Sequence, residues 1–124
     1  MNWILPAIIA LVVVGFLILR QRGSLSVEEA RRHLKEGALL VDVRTVGEFQ
    51  AGSVPGAVNV PLSELPDAMT QKAPDKNRVL LLHCQSGGRS AMAAMKLRSA
   101  GYTRVFNVGS FSQAMRISAS ATKP

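Results

Sequence analysis

A single cysteine, Cys84, stands among 124 residues. No internal disulfide can form, and a reducing compartment would keep the thiol free. Aromatic side chains are also scarce, six in all. With no stacking platform and no recognition motif, nucleic-acid binding is not expected, despite a formal net charge of +7. Acidic residues stop at Asp75. Beyond it the charged residues are Lys76, Arg78, Arg89, Lys96, Arg98, Arg104, Arg116 and Lys123. That one-sided charge suits a solvated face beside anionic lipid headgroups, or the steering of a small anionic substrate. There are no internal repeats, and neither a metal ion nor a cofactor is expected.

From Met1 to Leu19 there is no charged side chain, and Ile, Leu, Val and Ala dominate. As a helix this stretch would cover ~28 Å, close to the ~30 Å hydrocarbon core of a bilayer. Pro6 falls in the first turn, where a missing N–H costs little, and Trp3 sits where an interfacial aromatic belongs. A cleaved signal peptide would want a charged start and small residues at a cleavage site. Residues 1–22 are therefore expected to be a retained transmembrane anchor with a basic flank. Arg20, Arg22, Arg31, Arg32 and Lys35 follow the apolar run while no Lys or Arg precedes it, which places the domain on the cytoplasmic side of the inner membrane. Residues 23–25 read as a linker, 26–117 as the folded domain and 118–124 as a flexible tail. About 100 residues beyond the anchor suffice for one core.

Within the domain, strand and helix signals alternate. Ser26 and Glu29 form a capping-box pattern, opening a helix that runs to Glu36 and stops at Gly37. Leu39 to Val43 suits a buried strand, and Thr45 with Glu48 repeats the capping box over a short helix ending near Gly52. A turn at Ser53–Gly56 and a strand over Ala57–Val60 come next, then a helix capped by Ser63 through Met69. Val79–Leu82 reads as the central strand, Ser90–Ala100 as a helix, Thr103–Val108 as a strand and Phe111–Ile117 as a last short helix. His33 lies on a charged helix and is expected in solvent, and the five methionines are expected to pack. The expected architecture is α/β, a mainly parallel central sheet flanked by helices, whose ligands bind at the carboxyl ends of the strands.

At that end of the central strand lies His83-Cys84-Gln85-Ser86-Gly87-Gly88-Arg89. Strand, cysteine, glycine-rich loop and helix together favour a thiolate. Inward-facing amides form an anion nest, the helix start adds the positive end of its dipole, and Arg89 adds a full charge. Gly87 and Gly88 permit the positive φ that a tight curl requires. His83 adjoins the cysteine, but neighbours on a strand point to opposite faces, so a catalytic role for it is not expected.

These features resemble the rhodanese family over roughly Ser26 to Ile117. The residues that carry the resemblance are Val41-Asp42-Val43-Arg44, Glu48-Phe49, Gly52 to Pro61, and Cys84-Gln85-Ser86-Gly87-Gly88-Arg89-Ser90. The resemblance implies a sulfurtransferase. Cys84 would take a sulfane sulfur from a small anionic donor such as thiosulfate and pass it to a thiol or cyanide. The backbone of Gln85, Ser86, Gly87, Gly88 and Arg89 would cradle the outer sulfur, and Arg89 would help hold the donor. Asp42 and Arg44 would brace the sheet end, with Arg44 within reach of Glu48. Since Cys84 is alone, the acceptor must be external. Two positions depart from the family's habit: Ser53 replaces a frequent His, and Val108-Gly109-Ser110 lacks a second glycine and a later Trp.

Two rival functions bear on the same loop. A cysteine phosphatase places five residues between Cys and Arg, whereas here four, Gln85 to Gly88, intervene. A non-catalytic, membrane-tethered binding module of the same fold would usually lack the cysteine that this chain keeps.

Overall fold

The computed structural model describes residues 2–21 and 25–121. Six α-helices and four strands alternate through these residues. They are α1 (Ile4–Gln21), α2 (Val27–Lys35), β1 (Leu39–Asp42), α3 (Val46–Ala51) and β2 (Val58–Asn59), then α4 (Asp67–Lys72), β3 (Leu80–His83), α5 (Gly88–Ser99), β4 (Val105–Gly109) and α6 (Phe111–Ala121). The strands pair in the order β2-β1-β3-β4, every pair parallel. The α/β parallel sheet expected from the apolar runs is present.

Successive strand residues face opposite sides, and both sides are apolar. Val41, Leu80 and Leu82 pack with Met69 of α4 and with Ala93, Ala94 and Leu97 of α5. Leu40 and Leu81 pack on the other side with Ala30 of α2 and with Ala114 and Ile117 of α6. Leu80, Leu81 and Leu82 are fully buried, and each such side chain contributes about 1.5–3 kcal/mol. All of β3 is therefore held rigidly, together with the loop that leaves it.

Caps delimit the helices. The Ser26 hydroxyl accepts from Glu29 N–H, and Thr45 with Glu48 makes a complete reciprocal box. Gly37, at φ +103°, lets Ala38 N–H reach the His33 carbonyl and close α2, a reversal that a side chain would strain.

Several expectations need correction. No helix runs from Ser63 to Met69. Pro66 keeps Leu65 extended, leaving a 3-10 turn at Leu62–Glu64 and starting α4 only at Asp67. α5 begins at Gly88, two residues before Ser90, so Gly88 and Arg89 belong to its first turn. α6 continues to Ala121, so 118–121 is helical; Ser118 is buried and donates to the Pro55 carbonyl. Residues 122–124 of the expected tail lie outside the described residues, as do Gly23 and Ser24 of the expected linker. Leu25, its last residue, packs against the core. His33 stacks on Phe106 with ring centroids 5.7 Å apart, so it is not simply solvated. Met69 is buried and Met115 on α6 is exposed, while Met92 and Met95 (67% exposed) face outward because α5 turns Ala93, Ala94 and Leu97 to the sheet.

The expected span over residues 1–22 is described only in part. Among the described residues no helix is long and apolar enough to cross a membrane. The apolar side chains that are described run from Ile4 to Ile18, or ~22 Å of helix against a ~30 Å core. Met1 and Arg22 lie outside the described residues. The described α1 side chains are mostly exposed, Trp3 at the entry to 70%, and none joins either side of the core.

Candidate functional site

Parallel pairing brings the carboxyl ends of β1, β3 and β4 to one edge, and Cys84 is the first residue beyond β3. Its N–H donates to the Gly109 carbonyl at 3.1 Å, which ties the loop to the end of β4. The chain then curls back. Gly87, at φ +103°, directs its own N–H onto Cys84 Sγ at 2.9 Å. A Cβ at Gly87 would meet Gly109 Cα at 3.4 Å, an ordinary contact, so it is the left-handed φ that favours glycine there.

The sulfur lies deep. Cys84 is 1% exposed, whereas the reading of an activated thiol anticipates one open to reagents. The amides, however, turn toward it. Burial alone pushes the Cys84 thiol up. Hydrogen bonds from the Ser90 hydroxyl and from the amides of Ser90, Gly87 and Ser86 outweigh it, leaving the pKa below that of an ordinary cysteine. Ser90, in the first turn of α5, has its Oγ 3.5 Å from the sulfur, 3.1 Å from the Gly87 carbonyl and 2.7 Å from Asn107 Oδ1. Asn107 Nδ2 donates to the Gly87 carbonyl at 3.1 Å, and Gly109 N–H donates to Asn107 Oδ1 at 2.9 Å.

Of the expected cradle residues, Ser86 and Gly87 act on the sulfur, while Gln85 and Arg89 have other partners. The Gln85 side chain accepts from Arg44 at 3.3 Å and its carbonyl accepts from Phe111 N–H at 3.2 Å. Arg89 grips Glu48 with both arms, at 2.6 and 3.0 Å. This guanidinium holds the Glu48 carboxyl at about 2, down from 4.5, so the pair stays charged until strongly acidic pH. Glu48 in turn keeps Arg89 protonated.

Arg44 does not pair with Glu48. Arg44 precedes the N-cap Thr45 and so is not on the α3 surface, where an i,i+4 partner would be in reach. It lies instead against Asp42, with contacts of 2.8–3.1 Å, donates to the Gly52 carbonyl at 2.7 Å, and stacks 4.8 Å from the centre of the Phe111 ring. One buried side chain thus joins β1, the end of α3, the cysteine loop and α6. His83 is buried on the opposite face from Cys84. Burial holds its pKa below the ordinary value, so it is neutral, and its Nδ1–H donates to the Cys84 carbonyl at 3.1 Å. Its Nε2 has no hydrogen-bond partner and is 3.8 Å from Asp42 Oδ2.

Glu48, Ser90 and Asn107 are site residues that residue spacing did not single out for these roles. Ser90 could have been found from its place at the start of a helix after the cysteine loop. Asn107 could have been found only from the strand order, which sets the end of β4 beside β3.

Chemically, a thiol with a depressed pKa, contacted by amides at a helix start and backed by a hydroxyl, is a nucleophile with an anion-tolerant surrounding. The family model for the rhodanese-like domain matches residues 26–115. The chain is 38% identical over 69 residues to thiosulfate sulfurtransferase PspE of Escherichia coli (strain K12), covering 56% of this chain and 66% of that protein. It is 36% identical over 97 residues to the thiosulfate:glutathione sulfurtransferase of Homo sapiens, covering 68% of this chain and 84% of that one. Among solved structures it is similar to the human single-domain sulfurtransferase TSTD1, with a TM-score of 0.64 at 34% identity, over 73% of this chain and 93% of that chain. The chain therefore spans just under two thirds of PspE's own length.

Proposed function

The chain belongs to the rhodanese-like domain family, and from that premise we propose that it is a sulfurtransferase working through a persulfide on Cys84. The observation that carries this reading is the Gly87 N–H set 2.9 Å from Cys84 Sγ at the carboxyl edge of the sheet. The thiolate attacks the sulfane sulfur of a small anionic donor such as thiosulfate. The S–S bond of the donor breaks, sulfite leaves with the electron pair, and Cys84 carries the extra sulfur as a persulfide anion. A thiol or cyanide then attacks the outer sulfur, and the Cys84 thiolate leaves. No second thiol is present in the 124 residues, so none of them serves as the acceptor. The names of the relatives, thiosulfate sulfurtransferases of a bacterium and of man, support the same donor class.

Gln85, Ser86 and Gly88, exposed at the rim of the loop, and Gly87 at its turn contact the donor. Arg89 serves it by exchanging Glu48 for the donor's oxygens, since the pair is accessible from solvent. A mixture of the protein, thiosulfate and cyanide is expected to form thiocyanate. Its absence, with the protein folded, would overturn the proposal in favour of a non-catalytic module, the reading to which a Cys84 only 1% exposed lends weight.

The first 22 residues are the membrane attachment in this reading, with the domain on the cytoplasmic side of the inner membrane. The support is a helix whose apolar side chains from Ile4 to Ile18 stand in solvent, followed by Arg20 and Arg22. The full chain is expected to remain in the membrane pellet through an alkaline carbonate wash, and its domain to survive protease added to intact cells. Release by carbonate, or digestion from outside, would contradict this.

A further inference from the structure

We propose that Asn107 is a positioning residue for the Cys84 thiolate, acting through the Gly87 carbonyl and the Ser90 hydroxyl. The inference rests on Cys84 being the nucleophile. Two N–H donors converge on the Gly87 carbonyl, Asn107 Nδ2 at 3.1 Å and Ala91 N–H at 3.1 Å, and the Ser90 hydroxyl stands beside it at 3.1 Å. Of these, Asn107 alone comes from a different strand. Pinning that carbonyl fixes the left-handed turn at Gly87, and with it the N–H aimed at the sulfur.

Asn107 also governs a proton. The Ser90 hydroxyl has one hydrogen and three acceptors within 3.5 Å. The nearest is Asn107 Oδ1 at 2.7 Å, while the sulfur is the farthest. A neutral thiol is a weak acceptor, so the hydrogen rests on Asn107. A thiolate is a far stronger one. When Cys84 ionises, the hydroxyl turns to the sulfur, and Asn107 Oδ1 keeps its bond from Gly109 N–H. Asn107 thus holds Ser90 in place before the charge appears, and nothing is left unpaired afterwards. With no donor bound, the titratable groups around the loop have partners of their own: Arg44 with Asp42, Arg89 with Glu48, and neutral His83 on the Cys84 carbonyl.

The test is the pH profile of Cys84 alkylation by iodoacetamide in the full-length protein. Asn107→Leu removes both the donor and the acceptor. At pH 7 it is expected to react about tenfold more slowly than the parent, the effect of losing one hydrogen bond to a charged group. At pH 10, where the thiol is ionised in both, the rates should match. Ser90→Ala should also slow the reaction at pH 7, and the double variant should be no slower than about the worse single one, because both act on the same groups. Asn107→Ala removes the same two groups without adding bulk or charge, so it too should be slow at pH 7. It carries the test alone if the leucine variant does not fold. A purely architectural role would lower the melting temperature and leave the pH profile where it was. Superimposable profiles, or fully additive effects, would overturn the inference. Thiocyanate formation by the same parent sample separates the two proposals. A parent that alkylates in this way but turns over no thiosulfate would sink sulfur transfer and leave the placement of Asn107 standing.

Discussion

Cys84→Ser is expected to abolish thiosulfate-dependent thiocyanate formation, a loss of roughly 10³-fold or more, as befits removal of a covalent nucleophile. The substitution keeps a small polar atom under the Gly87 N–H, so the loop and the sheet edge should stay as they are. The oxygen cannot stand in for the sulfur chemically. A serine hydroxyl is scarcely ionised at neutral pH, and the neighbouring His83 is committed to the Cys84 carbonyl on the other face and offers no base. The protein should therefore fold normally and melt near the parent temperature while doing nothing to thiosulfate. Equal turnover by parent and variant would remove Cys84 from the chemistry, and with it the proposed function.

Arg44→Ala is expected to lower stability by about 3–5 kcal/mol, read as a fall in the denaturation midpoint. The magnitude follows from what remains. Asp42 is fully buried and its carboxylate depends on Arg44 for its charged partner. The Gly52 carbonyl and Gln85 lose a donor as well, and Phe111 loses the cation stacked on its ring. Set against a typical total of 5–15 kcal/mol, that is a large share of the domain's stability. Asp42→Asn combined with Arg44→Met should recover a good part of it, because no charge is then left buried alone. Arg44→Lys should recover less than its charge suggests, since an ammonium cannot span Asp42, Gly52 and Gln85 at once. An unchanged midpoint in Arg44→Ala would show that the four-way junction does not hold the loop.

What the sequence makes legible is whatever is local in the chain. The apolar runs of Leu39–Val43 and Val79–Leu82 marked the two inner strands, and Thr45 with Glu48 marked the start of α3. The order cysteine, glycine pair and helix placed the loop at the strand end. What could not be read depends on distant partners. Glu48 was legible as half of a capping box, but its two bonds to Arg89 span 41 positions and join α3 to α5. Asn107 reaches the loop across 20 positions through the pairing of β3 with β4, and no spacing in the sequence announces it. The Arg44–Glu48 pairing looked natural as an i,i+4 step and failed because helix geometry begins only after Thr45. Pro66 was in plain view, and its effect on Leu65 outweighs the capping potential of Ser63. The outward methionines of α5 show the same limit: hydrophobic composition says which residues can pack, while the face a helix turns to the sheet decides which do.

The depth of Cys84 makes one measurement decisive, since a sulfur that nothing can reach cannot carry cargo. The full-length protein is treated with thiosulfate, separated from excess reagent, and digested under conditions that preserve persulfides, and the peptide containing Cys84 is weighed. A gain of one sulfur atom, removed again by cyanide, is the predicted result. An unmodified peptide from folded protein, at donor concentrations that load a known sulfurtransferase, would contradict it.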